Sequence, residues 1–279
     1  MKKIAVITML RNDEFFLELW AKYYSRELGA ENCYALFDGT DQKIPAFAKK
    51  INTKKFERKE ESRTKGDKTR VNRINDFAND LMKNHGYDIV IGTDVDEFIA
   101  VDPDLKMSLR EYLSSVPQNR TALSPLGLDL AQHLTLEKPY DAKKTMLSQR
   151  KYAFISTRFT KSSIMLKPGR WGSGFHRMNG KNFKIDPNLY LFHMGSLDHK
   201  MSIDKINSDN RDASWKSHRM RRTMENFNLI TNSTARDFAI TKCARRIQQI
   251  ARPPYSWNKP FMFGIKWVVK IPKRFEKLF

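Results

Sequence analysis

"DIVIGTDVDEFIAV", residues 88–101, sets an apolar, β-branched run directly against three acids. Ile89, Val90 and Ile91 read as a short strand covered on both faces, the pattern of a parallel-sheet interior. Asp94, Asp96 and Glu97 follow at its carboxyl end. Carboxylates gathered there repel one another and are costly to desolvate unless a cation or hydrogen-bond donors compensate them. They therefore either face solvent or hold a metal. The D-x-D form of Asp94-Val95-Asp96 favours a metal, because Mg²⁺ and Mn²⁺ take hard oxygen ligands, commonly one or two carboxylates with phosphate oxygens of a substrate.

Outward from this stretch, strand and helix patterns alternate. Ile4–Leu10 reads as a strand, "DEFFLELWAKYYSREL" as a helix, "NCYALFDG" as a second strand and "KTRVNRINDFANDLMKNH" as a second helix leading into Ile89–Ile91. Such alternation predicts an α/β domain with a mostly parallel sheet flanked by helices. Ligands in such sheets bind at the carboxyl ends of the strands. Three polar clusters fall there, "RNDE" (11–14), "DGTD" (38–41) and "TDVDE" (93–97), and their coincidence predicts one site. Beyond residue 120 the pattern is less regular. "TALSPLGLDL" (121–130), "KSSIMLK" (161–167) and "YLFHMGS" (190–196) read as strands, and from about residue 200 the chain reads as helical and basic.

Within 279 residues there is ample length for a packed core. The opening "MKKIAVITML" has an apolar stretch too short for a signal peptide and lacks a small-residue cleavage site, so it reads as a core strand. Cys33 and Cys243 fit no metal-ligand spacing, and a reducing, cytoplasmic compartment is expected. Charge is the strongest global signal: 51 Lys+Arg against 31 Asp+Glu give a formal net of +20. Residues 242–279 carry ten basic side chains and a single acid, Glu276. Such a field attracts polyanions, whether acidic lipid, nucleic acid or phosphorylated substrates. Trp257, Phe261, Phe263, Trp267 and Phe275 interleave the basic residues. That composition suits the headgroup region of an anionic membrane, with stacking on single-stranded nucleic acid or plain packing against the domain as the other readings.

Several residues stand out as site candidates. Asp38 and Asp41 flank Gly39 in "FDGTD", either as a turn or with Asp38 binding a nucleotide base or ribose. Lys65, Lys68, Arg70 and Arg73 cluster on the helix before the acid strand, as a solvated face or as partners for phosphate, which Arg geometry suits. His176 in "GSGFHRMNG" and His193 in "LYLFHMGS" each follow an aromatic residue, as hydrogen-bonded core histidines or as a third metal ligand. A haloacid-dehalogenase-type phosphatase also ends a strand in D-x-D, but wants Thr or Val where this chain has Phe98.

Taken as a set, "RNDEFFLELWAKYY", "LFDGTDQ" and "DIVIGTDVDEFIAVDP" resemble a family-2-like glycosyltransferase of the type A fold, close to the subgroup related to family 92 with its D-x-D-E-F motif. The later "KSSIMLKP" and "LFHMGSLDHKMSIDK" are similar to its downstream Lys and His segments. The resemblance covers residues 1–206 as a catalytic domain and leaves 207–279 as a basic, aromatic-rich helical extension. It implies sugar transfer from a nucleotide sugar, a UDP-sugar first, with Mn²⁺ or Mg²⁺. Leu10, Arg11 and Glu14 would line the base pocket, and Asp38 would bind uridine or ribose. Asp94 would meet ribose or metal, Asp96 would ligate the metal, and His193 or His176 would complete the shell. Lys68 and Arg70 would meet the phosphates. Inversion needs a carboxylate base near the acceptor hydroxyl, and Asp129 in "LGLDL" is the candidate, although the "E-D" pair usual in family 2 is not found there.

The sequence thus predicts a metal-dependent, inverting glycosyltransferase acting on a glycolipid or cell-surface saccharide, peripheral on the inner face of the cytoplasmic membrane. Alternatives are a nucleic-acid-binding protein, which +20 suggests but which leaves the acid-bearing strand ends without a purpose, and a metal-dependent phosphatase or nucleotidyltransferase.

Overall fold

The computed structural model describes residues 1–58, 63–208 and 213–279, with the backbone alone for 63–65. The elements in chain order are β1 Ile4–Leu10, α1 Glu14–Leu28, β2 Cys33–Asp38, β3 Asn52–Phe56, α2 Arg63–Asn84, β4 Ile89–Gly92, β5 Glu97–Val101, α3 Leu109–Ser115 and β6 Ala122–Ala131. They continue with α4 Met146–Gln149, β7 Tyr152–Ile155, β8 Ile164–Met165, β9 Ile185–Ser196, α5 His199–Ser208, α6 Ala213–Asn232, α7 Ile240–Ile250 and β10 Val268–Lys270.

Side-chain alternation along β1 and β4 sorts residues onto two faces of the sheet. Ile4, Val6, Ile89 and Ile91 meet Leu17, Trp20 and Tyr24 of α1. On the other face Ala5, Ile7, Met9 and Val90 meet Val71, Ile74, Ala78 and Leu81 of α2. Both faces are covered, so β1 and β4 are continuous apolar runs. Helix α1 also grips the turn after β4: Trp20 Nε1 donates to Thr93 Oγ1 at 2.9 Å. The Tyr24 hydroxyl accepts from the Ile99 N–H at 2.9 Å.

The sheet is mixed, in the order β10-β7-β6-β8-β4-β1-β2-β3. The expected parallel sheet is the β4-β1-β2-β3 half. Strand β8 enters antiparallel between β4 and β6, and β6, β7 and β10 continue antiparallel. Strand β9 branches off, parallel to β6 on one side and antiparallel to β5 on the other. Pro125 lies where the β6–β9 register shifts between Ser124 and Leu126, a place where its missing N–H costs no ladder bond.

The segment predicted to be a helical extension does carry α6 and α7, and it also completes the sheet. Val268, Val269 and Lys270 pair antiparallel with Phe154, Ala153 and Tyr152. Phe275 is fully buried, and the Phe279 ring lies 4.7 Å from Tyr23 and 5.1 Å from Phe98. Arg274 holds Asp102 through Nε at 2.7 Å and Nη2 at 3.0 Å.

One close approach positions the site. A Cβ on Gly127 of β6 would stand 2.2 Å from the backbone carbon of Phe159 and 2.4 Å from the Thr160 nitrogen. The Gly127 N–H donates to Thr160 Oγ1 at 3.0 Å, and its carbonyl accepts from the Ser156 N–H at 2.9 Å. The loop 156–161 is thereby pressed onto β6. Gly127→Ala is expected to destabilise the protein by about 3 kcal/mol, the upper end for overpacking against backbone, read as a lowered midpoint in urea denaturation.

Candidate functional site

The carboxyl ends of β1, β2 and β4 lie side by side because these strands are parallel. At the end of β4, Asp94 accepts from Arg70 Nη2 at 2.8 Å and from Lys161 Nζ at 3.0 Å, one cation on each oxygen. Arg70 also reaches the Met9 carbonyl at 2.6 Å, tying α2 to β1 and to the acid turn. Lys161, 2% exposed, donates in addition to Glu97, which is 0% exposed. The second Glu97 oxygen accepts from the Asp94 N–H at 3.2 Å. Burial works against the Lys161 ammonium, but Asp94 and Glu97 outweigh it and hold its proton more tightly than usual. Burial raises the Asp94 carboxyl, yet Lys161 and Arg70 prevail and hold it well below the usual carboxylate range. Glu97 goes the other way: complete burial pushes its carboxyl up despite Lys161, with Asp94 and Asp96 adding to the rise.

Beside this group runs a second row. Strand β9 pairs His193 with Glu97 of β5 on one side and with Asp129 of β6 on the other. His193 Nδ1 lies 2.7 Å from Asp129 Oδ1, and its Nε2 lies 3.4 Å from Asp96 Oδ2. The Phe159 ring stacks on the imidazole at 3.8 Å between centroids, fixing its plane. Burial lowers the imidazole's proton affinity, but Asp129 and Asp96 reverse this and raise its pKa to about 10. The Asp96 carboxyl, also lifted by burial, is pulled below its ordinary value chiefly by His193. Asn226 Nδ2 of α6 reaches Asp129 Oδ2 at 3.4 Å.

Two cavities flank these rows. The first, about 180 Å³, is lined by Asp94, Arg70 and Asp67 with the turn Ser173–His176. It is smaller than the roughly 300–1,000 Å³ usual for a whole small-molecule ligand and has room for part of one. The second, about 270 Å³, has Asp129 and Asn226 in its wall.

The structure therefore brings Arg70, Asp94, Asp96, His193 and Asp129 of the predicted set together. The rest are dispersed around them. Leu10 is buried, while Glu14 and Lys68 are exposed. Arg11 forks onto Asp41 at 3.0 and 2.7 Å and donates to the Asp38 carbonyl at 2.9 Å, and Arg73 approaches Asp38 at 3.5 Å. The Lys65 side chain lies outside the described residues. His176 lies across the first cavity, its Nδ1 2.9 Å from the Arg158 carbonyl. Burial, aided by Lys161, pushes its pKa down to about 3.

Among the described residues, no three His, Cys, Asp or Glu side chains surround a point suited to a metal ion. The sequence reading has Asp96 as the ligand, Asp94 on ribose or metal, and His193 or His176 completing the shell. Both oxygens of Asp94 already carry cations, and His176 faces a different partner. The remaining pair is Asp96 with His193, whose Nε2 faces Asp96 at 3.4 Å and would have to give up its proton to take a metal. A ligating histidine ordinarily gives its other ring nitrogen to a carboxylate, as His193 does to Asp129. A Cβ at Gly195 would stand 2.8 Å from His193 Nε2 and 3.1 Å from Asp96 Oδ2, so the glycine keeps that space open.

Sequence reasoning missed Lys161, Phe159 and Asn226. It also missed Asp13 at the start of α1, whose Oδ2 meets Lys205 Nζ of α5 at 2.5 Å. A signal for Lys161 did exist: the buried acid Glu97 required a cation, and "KSSIMLK" places a lysine at the edge of an apolar strand.

No protein-family model matches the sequence, and no curated protein matches it. Among solved structures, the chain is similar to the crystal structure of mannose-1-phosphate geranyltransferase from Thermus thermophilus, at 9% identity and a TM-score of 0.29 over 80% of this chain and 64% of that one. It is also similar to a cytidylyltransferase from Leptospira borgpetersenii serovar Hardjo-bovis, at 12% identity and a TM-score of 0.27 over 83% and 74%. The chain thus spans less than two thirds of the first of these.

Lys161→Met removes the cation from two buried carboxylates and is expected to cost about 3–5 kcal/mol of stability, measured by urea denaturation at neutral pH. Lys161→Met combined with Glu97→Gln is expected to recover most of that loss, because no uncompensated charge then remains at position 97.

Proposed function

We propose that the protein is a metal-dependent glycosyltransferase of the type A fold, transferring a sugar from a nucleoside-diphosphate sugar to a saccharide or glycolipid acceptor with inversion. The observation that carries this reading is the row Asp96–His193–Asp129, lying beside the Asp94–Arg70 group and reaching the second cavity. The strand order, with acids at the carboxyl ends of parallel strands, supports the fold assignment.

In this reading Asp96 and His193 would hold Mn²⁺ or Mg²⁺, which would neutralise charge on a departing diphosphate. Arg70 and Lys161 pin Asp94 between them at the same end of β4. Arg11 and Asp38 border the neighbouring strand ends, where the nucleoside lies. Asp129 has one oxygen committed to His193 and the other engaged by the long contact from Asn226. Asp129 takes the proton of the acceptor hydroxyl from the side of the second cavity. Attack from there, opposite the leaving diphosphate, inverts the anomeric centre.

The test is incubation with a panel of nucleotide sugars and Mn²⁺, following release of nucleoside diphosphate. One donor is expected to be turned over, Asp96→Asn to abolish turnover, and Asp129→Asn to lower kcat by roughly 10²–10⁴-fold with little change in donor KM. Consumption of a nucleoside triphosphate and a sugar phosphate, with no nucleotide sugar used, would replace this reading by nucleotidyl transfer.

Peripheral association with the inner face of an anionic membrane forms part of the proposal. Tyr255, Trp257 and Phe263 are 79%, 84% and 68% exposed on a segment that also carries Arg252, Lys259 and Lys266. Among the described residues no helix is long and apolar enough to cross a membrane. Deleting the tail would also remove β10 and Phe275, so point changes are the cleaner probe. Trp257→Ser with Phe263→Ser is expected to weaken sedimentation with phosphatidylserine vesicles by roughly ten-fold or more; unchanged sedimentation would remove the membrane from the reading.

A further inference from the structure

The second cavity carries chemistry that the donor side does not use. Three cationic side chains from three separate segments line it: Arg158 after β7, Arg222 on α6, and Lys266 ahead of β10. Two acids share the wall, and both have partners. Asp129 is held by His193, and Glu225 pairs with Arg221 at 3.1 Å. Three cationic side chains thus stand with two carboxylates, Asp129 and Glu225, in the wall of one cavity. Phe261, Met262 and Ile265 form its apolar side and belong to the same segment that exposes Trp257 and Phe263.

We propose that this cavity is the acceptor subsite and that it selects a saccharide carrying a phosphate group close to the reacting hydroxyl. The proposal rests on the glycosyl-transfer reading and adds the class of acceptor. Arg158, Arg222 and Lys266 bind the phosphate, for which guanidinium groups and a lysine from separate segments form a suitable clamp. The apolar side takes a face of the sugar ring. The hydroxyl is thereby held against Asp129. Its proton passes to the Asp129 carboxylate and its oxygen forms the bond to the donor's anomeric carbon. The bond from that carbon to the diphosphate oxygen breaks, and the nucleoside diphosphate leaves with the electron pair. A neutral sugar lacks the group that the three cations recognise.

The test pairs soluble sugar phosphates with their dephosphorylated counterparts as acceptors for the full-length wild-type protein, using whichever donor it hydrolyses. A second arm uses the same saccharides linked through diphosphate to a lipid in vesicles. Phosphorylated acceptors are expected to show kcat/KM at least about ten-fold above their neutral partners, the scale of one charge-assisted contact. Lys266→Gln is expected to narrow that ratio and Lys266→Arg to restore it, a charge-dependent pattern that general loss of folding would not produce. A preference in the soluble arm identifies free sugar phosphates, and a preference in the vesicle arm alone identifies a lipid-linked acceptor; both support the proposal. Equal use of phosphorylated and neutral acceptors in both arms, with donor turnover intact, overturns it and leaves the transferase reading standing. Failure to hydrolyse any nucleotide sugar overturns the transferase reading, and this proposal with it.

Discussion

A single buried ammonium holds the centre of this protein together. Lys161 is enclosed by the sheet and bridges Asp94 and Glu97, two acids that belong to the turn between β4 and the start of β5. Without it, the turn would carry three carboxylates at the end of an apolar strand with too little to offset their repulsion. A buried ion pair is seldom a net source of stability, because desolvation consumes most of the attraction. What this one supplies is geometry: with Lys161 and Arg70 on its two oxygens, Asp94 has one orientation, and Asp96 is set toward β9.

Strand β9 then turns local order into a site. It is paired on both sides, so the position of His193 is fixed in register against Glu97 and Asp129 at once. A slip of one residue would turn the imidazole to the opposite face. The histidine is locked further by Phe159 stacked on it, and the open side of Gly195 leaves room beside Nε2. Rigid strands, rather than loops, carry each member of the Asp96–His193–Asp129 row or the residue next to it.

Much of the first half was legible in the sequence because local pattern and global placement agree there. The strands β1, β2 and β4 are unbroken apolar runs, and the helices between them have helical apolar spacing, so both the parallel sheet and the polar strand ends follow from period alone. Strand β3 was not legible, since "NTKKF" is a polar edge strand that gains its pairing from β2 rather than from apolar content. Strand β10 was hidden in a basic, aromatic stretch whose Val268 and Val269 find their partners more than a hundred residues away in β7. The site divides in the same way. Asp94 and Asp96 announce themselves by clustering beside a buried strand. Lys161 and Asn226 do not, because a buried lysine and an exposed one look alike in sequence, and only the fold brings them to their acids. The separation of Asp94 from the Asp96–His193 pair likewise depends on cations contributed by α2 and by the segment ahead of β8.

The loop pinned beneath Gly127 has a role in both cavities. Arg158 lends its side chain to the second cavity while its carbonyl meets His176 in the wall of the first, and three residues later Lys161 grips Asp94. The loop thus lines the second cavity and holds two residues, His176 and Asp94, that line the first. A ligand that shifted that loop would change the affinity of the opposite chamber, and thermodynamic linkage would make the effect equal in both directions. Order of binding in such an arrangement is a property of the wall as much as of the two ligands.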